Sequence, residues 1–347
     1  MAGSSAAGPK PGRNSFSVKL AGAETNARGI QRHAPRAVIT DVRYIFDTSA
    51  INRLLNDPDH EALVRTLVAT AELRISAFNV IEAAKTRDST ARIRLLQLLQ
   101  RLSPSFRFLD RPNTIVRAVA CAFANRDQSG RVTVTVNRDP DLDGLGVALN
   151  NPDDINEELR QELLDYAAQW ECDFDKIVAG DRDIVQRKLN GVPSRARRPA
   201  ETLRAYIRNR DQVYAQVIAP IFERETGRQL RADEYSDLGL EPVWWLYLGA
   251  YAYGMHCRSV HLHGYSRRKV AGAFDLGQAI YLRFCDRFVT DDTAQYRALR
   301  LLNRFSTEAR PDVLTYDHFR ARLIPPSLTR YGTYATRESQ GTTKILP

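Results

Sequence analysis

The sequence predicts an α/β fold in which a twisted parallel sheet is sandwiched between helices. Two stretches, residues 39–109 and 265–325, each alternate short apolar runs with helical segments. Such repeated β-α alternation is typical of a mostly parallel sheet with helices on its faces. With 347 residues, of which 43% are hydrophobic and 26% charged, the chain can bury a substantial core.

The first stretch, residues 39–109, contains three candidate strands, which are YIF at 44–46, LRIS at 73–76 and FRFL at 106–109. Helical spacing of apolar residues marks the segments between them: AINRLLND, EALVRTLVATAEL, the segment that carries Glu82, and ARIRLLQLLQRL at 91–102. Three strands joined by helices predict the first half of the sheet.

Residues 110–264 break this rhythm and are predicted to be a large, mostly helical insertion. Three helical segments occur there, INEELRQELLDYAAQWE, AETLRAYIRNRDQVYAQVIAPIFERE and the Trp-Trp region, with one candidate strand or hairpin, RVTVTV at 131–136. The alternation then resumes over 265–325 with the helix AGAFDLGQAIYLRFC, the strand DRFVTDD, the helix TAQYRALRLLNRF and the strand DVLTY. A single α/β domain, made of 39–109 and 265–325, is therefore predicted to be split by the insertion.

The two ends of the chain are predicted to be tails. Residues 1–38 are rich in Ala, Gly, Ser, Pro and Arg without apolar periodicity, which is typical of a disordered basic tail, and 326–347 form the C-terminal tail. The apolar stretch at 241–255 is too short for a membrane span and predicts a buried helix. Four cysteines without C-x-x-C spacing favour reduced thiols and a cytoplasmic location.

The net charge of +9 and the pI near 9.5 favour an anionic partner, of which nucleic acid is the commonest. Two basic runs are candidates for phosphate contact, and both could instead be solvated faces. Their members are Arg195, Arg197 and Arg198 in the insertion and Arg267, Arg268 and Lys269 before the second α/β stretch. An arginine-rich composition can also reflect the base composition of a genome. The chain has neither a P-loop nor a G-x-S-x-G elbow, so nucleotide or acyl hydrolysis of those types has no support.

Acidic residues follow the candidate strands where parallel sheets bind their ligands. Asp47 comes directly after YIF, and Asp292 comes one residue after the strand RFVT. Glu82 lies in the first turns of the helix after LRIS, and Asp275 lies near the start of the helix before RFVT. Since ligands bind beyond the carboxyl ends of strands, and helix beginnings return to that edge, the four carboxylates are predicted to converge. Carboxylate oxygens suit Mg²⁺ or Mn²⁺, so the pattern indicates a divalent metal site.

Three segments that contain these acids resemble the PIN domain, a family of metal-dependent nucleases. They are FDTSAINRLL at 46–55, SAFNVIEAAK at 76–85 and DLGQAIYLRFCDRFVTDDTAQYRAL at 275–299. The insertion between the second and third segments is a departure, since compact members of the family connect them far more briefly.

The functional residues of the family match individual residues of this sequence. The family's first Asp, with its following Thr and Ser, matches Asp47, Thr48 and Ser49. Its helix-borne Glu matches Glu82, its third acid matches Asp275, and the acid of its Thr-x-Asp turn matches Asp292.

The resemblance implies a PIN-like fold that hydrolyses RNA phosphodiester bonds with Mg²⁺ or Mn²⁺ as cofactor. It implies Asp47 and Asp292 as metal ligands, Asp275 as a ligand or water-orienting base, and Glu82 as the acid that completes the cluster. The side chains expected to hold these carboxylates in place are Thr48, Ser49, Thr290 and Asp291. The expected partner is single-stranded or structured RNA. The resemblance also implies a second copy of the chain or an inhibitory protein as a protein partner.

Helix capping offers another interpretation of the same acids. Asn79 and Glu82 have the spacing of a helix N-cap and its partner three residues later. Asp291 or Asp292 could cap the helix that begins near Thr293, and Asp275 favours a helix N-terminus. Capping alone leaves unexplained why Asp47 directly follows an apolar strand.

Two other functions and one further acid stay open from the sequence. A non-catalytic nucleic-acid-binding or scaffold protein could keep a PIN-like fold, and a structure-specific DNA nuclease would use the same metal chemistry. Asp286 is a fifth candidate acid, because it starts the strand that Thr290 ends, and its side of the sheet is open.

Overall fold

The computed structural model describes residues 42–102, 108–125, 157–180, 198–208, 214–239, 241–260, 271–305 and 310–323, with short pieces at 18–19, 132–133 and 137–138 and single residues at 148, 152 and 155. The predicted disordered tail at 1–38 lies outside the described residues except for 18–19. The predicted C-terminal tail at 326–347 lies outside them entirely.

The described strands form one six-stranded sheet and one separate pair. In chain order they are β1 (Val18–Lys19), β2 (Val42–Phe46), β3 (Ala71–Ser76), β4 (Phe108–Leu109), β5 (Val132–Thr133), β6 (Asn137–Arg138), β7 (Arg287–Thr290) and β8 (Asp312–Thr315). The larger sheet has the order β6-β4-β3-β2-β7-β8. Its pairs are parallel except for β4 with β6, and β1 pairs with β5. The predicted parallel sheet is therefore confirmed, with the candidate strands of both stretches in it.

Helices make up most of the remaining described chain. They are α1 (Thr48–Leu55), α2 (His60–Thr70), α3 (Ala77–Lys85), α4 (Ser89–Leu102), α5 (Pro112–Ala124), α6 (Glu157–Gly180), α7 (Pro199–Arg208), α8 (Ala219–Thr226), α9 (Tyr235–Gly239), α10 (Pro242–Val260), α11 (Ala273–Gly277), α12 (Thr293–Arg304) and α13 (Tyr316–Leu323). A π-helical turn spans Tyr214–Ile218, and 3-10 turns span Ala232–Glu234 and Gln278–Phe284. The prediction of a parallel sheet flanked by helices is therefore confirmed.

One predicted helix boundary is wrong, and two other predicted segments are described only in part. The helix expected over EALVRTLVATAEL ends at Thr70, because β3 begins at Ala71 and pairs there with Val42 of β2. Of RVTVTV at 131–136, predicted as a strand or hairpin, the structure describes Val132–Thr133, a strand that pairs in parallel with Val18–Lys19. In the segment AETLRAYIRNRDQVYAQVIAPIFERE the structure describes α7, a π-helical turn and α8, and 209–213 lie outside the described residues.

The centre of the sheet is buried on both faces. Ile45 and Phe46 in β2 and Phe288 and Val289 in β7 are each at most 2% exposed. Because consecutive residues of a strand point to opposite faces, this double burial requires cover on both sides. Phe319 of α13 supplies part of it, with its ring centroid 4.9 Å from that of Phe46 in an edge-to-face contact.

The strand order places a topological switch point at β2. From β2 the chain proceeds through β3 to β4 on one side of the sheet, whereas β7 and β8 lie on the other side. Connections that run in opposite directions leave a crevice between the two central strands at their carboxyl ends, here between β2 and β7. Asp47 and Asp292 follow those two strands.

The helix α6 of the predicted insertion packs directly against the sheet-associated helices. Its Trp170 is 5% exposed, and the indole centroid lies 5.3 Å from the ring centroid of Phe78 in α3. The indole Nε1 also donates a hydrogen bond to Ala273 O of α11, 3.2 Å away. One tryptophan therefore joins the insertion to both helices that carry predicted site acids.

The apolar segment at 241–255 lies in α10 and is buried, as predicted, with Trp244 fully enclosed. No helix in the described ranges is both long enough and apolar enough to cross a membrane.

Candidate active site

Asp47 is held at the carboxyl end of β2 by three hydrogen-bond donors. As the N-cap of α1, its Oδ1 accepts a hydrogen bond from Ala50 N at 2.7 Å. Its Oδ2 accepts hydrogen bonds from Ser49 Oγ at 2.7 Å and Thr290 Oγ1 at 2.8 Å. The residue is only 3% exposed, so its orientation is fixed by buried partners.

Two hydroxyl groups tie the end of β7 to the end of β2. Thr290 Oγ1, which donates to Asp47, also accepts a hydrogen bond from Asp292 N at 2.9 Å. Ser49 Oγ accepts a hydrogen bond from Asp291 N at 2.9 Å, while the Asp291 side chain is exposed. The loops after the two central strands are thus joined through side chains and not only through the sheet.

Asp292 and Asp275 each use one carboxylate oxygen for a helix terminus. Asp292 is the N-cap of α12, and its Oδ1 accepts a hydrogen bond from Gln295 N at 2.8 Å. Asp275 is the third residue of α11, and its Oδ2 accepts a hydrogen bond from Gly272 N at 2.8 Å. The capping interpretation of both acids is therefore correct as a description of local structure. Capping engages one of the two oxygens of each carboxylate.

Glu82 does not belong to a cap, so the capping interpretation of this residue is wrong. The N-cap of α3 is Ser76, and Asn79 is its reciprocal partner. Glu82 lies one turn further on, where its Oε2 accepts a hydrogen bond from Thr48 Oγ1 at 2.5 Å. Asn79 has a second task that the sequence did not indicate, because its Nδ2 donates to Phe46 O at 2.9 Å and fastens α3 to β2.

Burial raises the pKa of two of these carboxyls to about 7. For Asp47 the largest cause is burial, which outweighs its hydrogen bonds, and the charge of Asp275 adds to it. For Glu82 the largest cause is again burial, and the charges of Asp275 and Asp47 raise its pKa further. Removing these groups from water disfavours their charged forms.

The other two acids belong to the same electrostatic group. Burial raises the pKa of Asp275, and the nearby charges of Asp292 and Glu171 raise it further. Each of the four predicted acids is thus electrostatically linked to at least one other. A set of this kind carries a free-energy penalty when fully ionised, unless a positive charge offsets it.

The donor chemistry of this group fits a hard divalent cation. Glu82 Oε1, Asp275 Oδ1 and Asp292 Oδ2 accept no hydrogen bond from any described residue, which leaves one oxygen of each carboxylate for another partner. However, in the parts of the chain that the structure describes, no three His, Cys, Asp or Glu side chains are grouped so that they could hold one ion. Mg²⁺ commonly keeps several waters and takes one or two carboxylates, so a three-ligand group is not required.

Two residues near the acids were not indicated by the sequence. Lys85, the last residue of α3, places Nζ 3.3 Å from Oε1 of Glu171 on α6. The positive charge of Lys85 opposes the rise in the pKa values of Glu82 and Asp275 that burial causes. Lysine at the end of a helix is common, and a pairing with a glutamate 86 residues away depends on how the insertion docks, so no local pattern could predict it.

Asp286 is excluded from the carboxyl edge. It precedes β7 at the amino end, where its Oδ1 and Oδ2 accept hydrogen bonds from Arg43 Nη2 at 2.7 Å and Nε at 3.0 Å. The bond from the Arg43 guanidinium lowers the pKa of Asp286, the opposite direction from the acids at the other edge.

Most of the predicted phosphate-contact residues cannot be placed. Arg198 is exposed just before α7, whereas Arg195, Arg197, Arg267, Arg268 and Lys269 lie outside the described residues. The structure therefore neither joins the two basic runs to the acids nor separates them.

Comparison with known proteins identified no relative of this chain. No protein-family model, no curated protein and no solved structure matches the chain.

Proposed function

We propose that the chain is a metal-dependent endoribonuclease that hydrolyses RNA phosphodiester bonds, with a PIN-like arrangement of its acids. The supporting observation is the group of four electrostatically linked carboxyls at the switch point of a parallel sheet, two of which have a pKa raised to about 7. Ordinary structural acids are paired or solvated, as Asp286 is with Arg43. Acids that are brought together and desolvated are more typical of functional sites.

In this proposal the residues have separate roles in binding a cation and a water molecule. Asp47 and Asp292, after the two central strands, and Asp275 are the candidate ligands, of which one or two at a time would bind Mg²⁺ or Mn²⁺ together with water, with Glu82 beside them. Bound there, the ion would neutralise the acids and lower the pKa of the attacking water. Ser49 and Thr290 would keep Asp47 oriented, because both hydroxyls donate to its carboxylate.

The protein's own charge supports a nucleic acid as the substrate. A net charge of +9 favours the approach of a polyanion, and the carboxyl edge itself is acidic. An acidic site in a basic protein repels phosphate until divalent ions occupy it. Substrate binding at the edge is therefore expected to require the metal.

Cleavage assays with matched variants test the proposal. Labelled single-stranded RNA and DNA are incubated with the full chain in Mn²⁺, Mg²⁺ or EDTA, beside Asp47→Asn, Asp275→Asn and Asp286→Asn. We expect RNA cleavage only with a divalent ion, a loss of at least about 100-fold in the first two variants and near-normal activity in the third, whose acid lies at the other edge. Cleavage in EDTA, or full activity of both site variants, would contradict the proposal.

A second candidate is nucleic-acid binding without cleavage. It is favoured by one observation, that no described group of three donors is arranged around a common ion position. In that case the same assay gives no cleavage with any ion, while RNA binding is retained and weakens steeply with salt. Preferential cleavage of structured DNA would point instead to the third function considered from the sequence.

A further inference from the structure

Lys85 lies close to the acids, and its side chain remains partly exposed to solvent. It follows Glu82 by three residues on α3, so both side chains lie on the same face of the helix. Its ammonium group is 4.6 Å from the ring centroid of Phe274, the residue before Asp275. The side chain is 34% exposed and can therefore reach a ligand in solvent.

Glu171 holds this ammonium group from the side of the insertion. The ion pair of 3.3 Å joins α3 to α6, and Glu171 itself is 45% exposed. The position of α6 is fixed by the preceding residue, Trp170, which is buried against Phe78 and bonded to α11. The insertion thereby sets where the ammonium group stands relative to Glu82 and Asp275.

The electrostatics of Lys85 change when the acids are neutralised. Among the groups that most strongly affect the pKa values of Glu82 and Asp275 in the described chain, Lys85 is the one with a positive charge. In the metal-free protein its charge favours the ionised forms of these carboxyls, while its ammonium group pairs with Glu171. Once a divalent ion occupies them, an ammonium group at the rim favours another anion, and a backbone phosphate of RNA is a matching partner.

We propose that Lys85 contacts a backbone phosphate of the substrate and that Glu171, on the helical insertion, is the residue that positions it. The proposal rests on the proposed function for the identity of the anion as RNA. It gives the insertion a specific task, which is to place one cation at the rim of an acidic site. A lysine that served only to reduce repulsion among the acids would not touch the substrate.

RNA binding measured without turnover tests the contact. Fluorescence anisotropy of a labelled single-stranded RNA is followed in Ca²⁺ and in EDTA over a range of salt. The variants are Lys85→Met, which keeps the aliphatic stem over Phe274, Lys85→Arg and the control Lys176→Gln. Lys176 lies on the same helix as Glu171 and is 69% exposed, with Asp173 as its partner.

We expect Lys85→Met to weaken RNA binding in Ca²⁺ by about 3- to 10-fold and to reduce the slope of log affinity against log salt by about 0.7, the value for one phosphate on a single strand. Lys85→Arg should retain most of both, and Lys176→Gln should leave both unchanged. Wild-type affinity and slope in Lys85→Met overturn the proposal, as does an equal loss in the control. A stable fold is checked by circular dichroism, and Lys85→Gln replaces the methionine variant if that one unfolds.

A double-mutant cycle tests Glu171. Glu171→Gln should change RNA affinity in the wild-type background and have little effect when Lys85 is already methionine. Equal effects in both backgrounds would show that Glu171 does not act through Lys85. These binding results stand apart from cleavage: Lys85-dependent binding supports the contact even in a protein that does not cleave, whereas cleavage with wild-type KM in Lys85→Met overturns the contact and leaves the proposed function intact.

Discussion

Replacing Asp47 by asparagine should stabilise the metal-free protein at high pH while abolishing activity. Burial raises the pKa of Asp47 from an ordinary value of 3.8 to about 7. A carboxyl with a raised pKa binds its proton more tightly in the folded chain, so its contribution to the free energy of unfolding falls as pH rises from about 4 to about 7. An amide does not titrate and escapes this loss.

The size of the effect follows from the same values. Integrating the proton linkage for the two pKa values gives a penalty of roughly 1.7 kcal/mol at pH 5 and roughly 4 kcal/mol at pH 8 for the wild-type acid. Asn at this position keeps an oxygen for Ala50 N and turns an amino group toward the hydroxyls of Ser49 and Thr290, which costs about 1 to 2 kcal/mol at either pH. The variant should therefore gain about 2 to 3 kcal/mol relative to wild type between pH 5 and pH 8.

Urea unfolding in EDTA at the two pH values measures this difference. Asp286→Asn is the control, because its pKa is lowered by Arg43 and its substitution should reduce stability at pH 8. Adding Mn²⁺ should stabilise wild type, by about 2.7 kcal/mol at a hundredfold excess over Kd, and Asp47→Asn much less. The reasoning is refuted if the stability difference between Asp47→Asn and wild type is the same at pH 5 and pH 8.

Three further predictions concern the surroundings of this acid. Thr290→Val removes the donor to Asp47 Oδ2, so it should lower the free energy of unfolding by about 1 to 3 kcal/mol and reduce cleavage, whereas Thr290→Ser should preserve both in urea and activity assays. Gly277→Ala places a Cβ 2.7 Å from Phe78 Cε2 and 2.8 Å from Trp170 Cζ2, so a loss of about 1 to 3 kcal/mol is expected in urea unfolding, and an unchanged midpoint would show that the packing can adjust. The wild-type chain in EDTA should lose stability as pH rises from about 5 to 8, since two carboxyls have a pKa of about 7, and Mg²⁺ or Mn²⁺ should reduce that slope in a pH series of urea titrations.

The strands and the acids that follow them were predictable because both depend on short-range pattern. YIF and RFVT are apolar runs that end at an acid, and parallel strands bring their carboxyl ends to one edge whatever the length of chain between them. The sequence therefore predicted that Asp47 and Asp292 would emerge at one edge and that Thr290 would help to orient the acids, whereas it did not indicate that Thr290 Oγ1 would also accept a hydrogen bond from Asp292 N.

Boundaries and partners set by distant contacts were not predictable. The helix expected over AGAFDLGQAIYLRFC is α-helical only at Ala273–Gly277 and continues as a 3-10 turn, at the point where Phe78 and Trp170 crowd Gly277. The pairing of Lys85 with Glu171 has the same origin. Both features arise from the docking of α6, for which helical periodicity specifies an apolar face and no partner.

The docking of Trp170 also bears on how the protein can be divided. A shortened chain without 110–264 would expose the ring of Phe78 and leave the 3.2 Å bond to Ala273 unmade, so joining the two α/β stretches is not expected to give a stable smaller protein. Sequence insertions are often treated as removable modules. Here the inserted helix forms one side of the candidate site, so a change in its length or register is expected to shift the helices that carry Glu82 and Asp275.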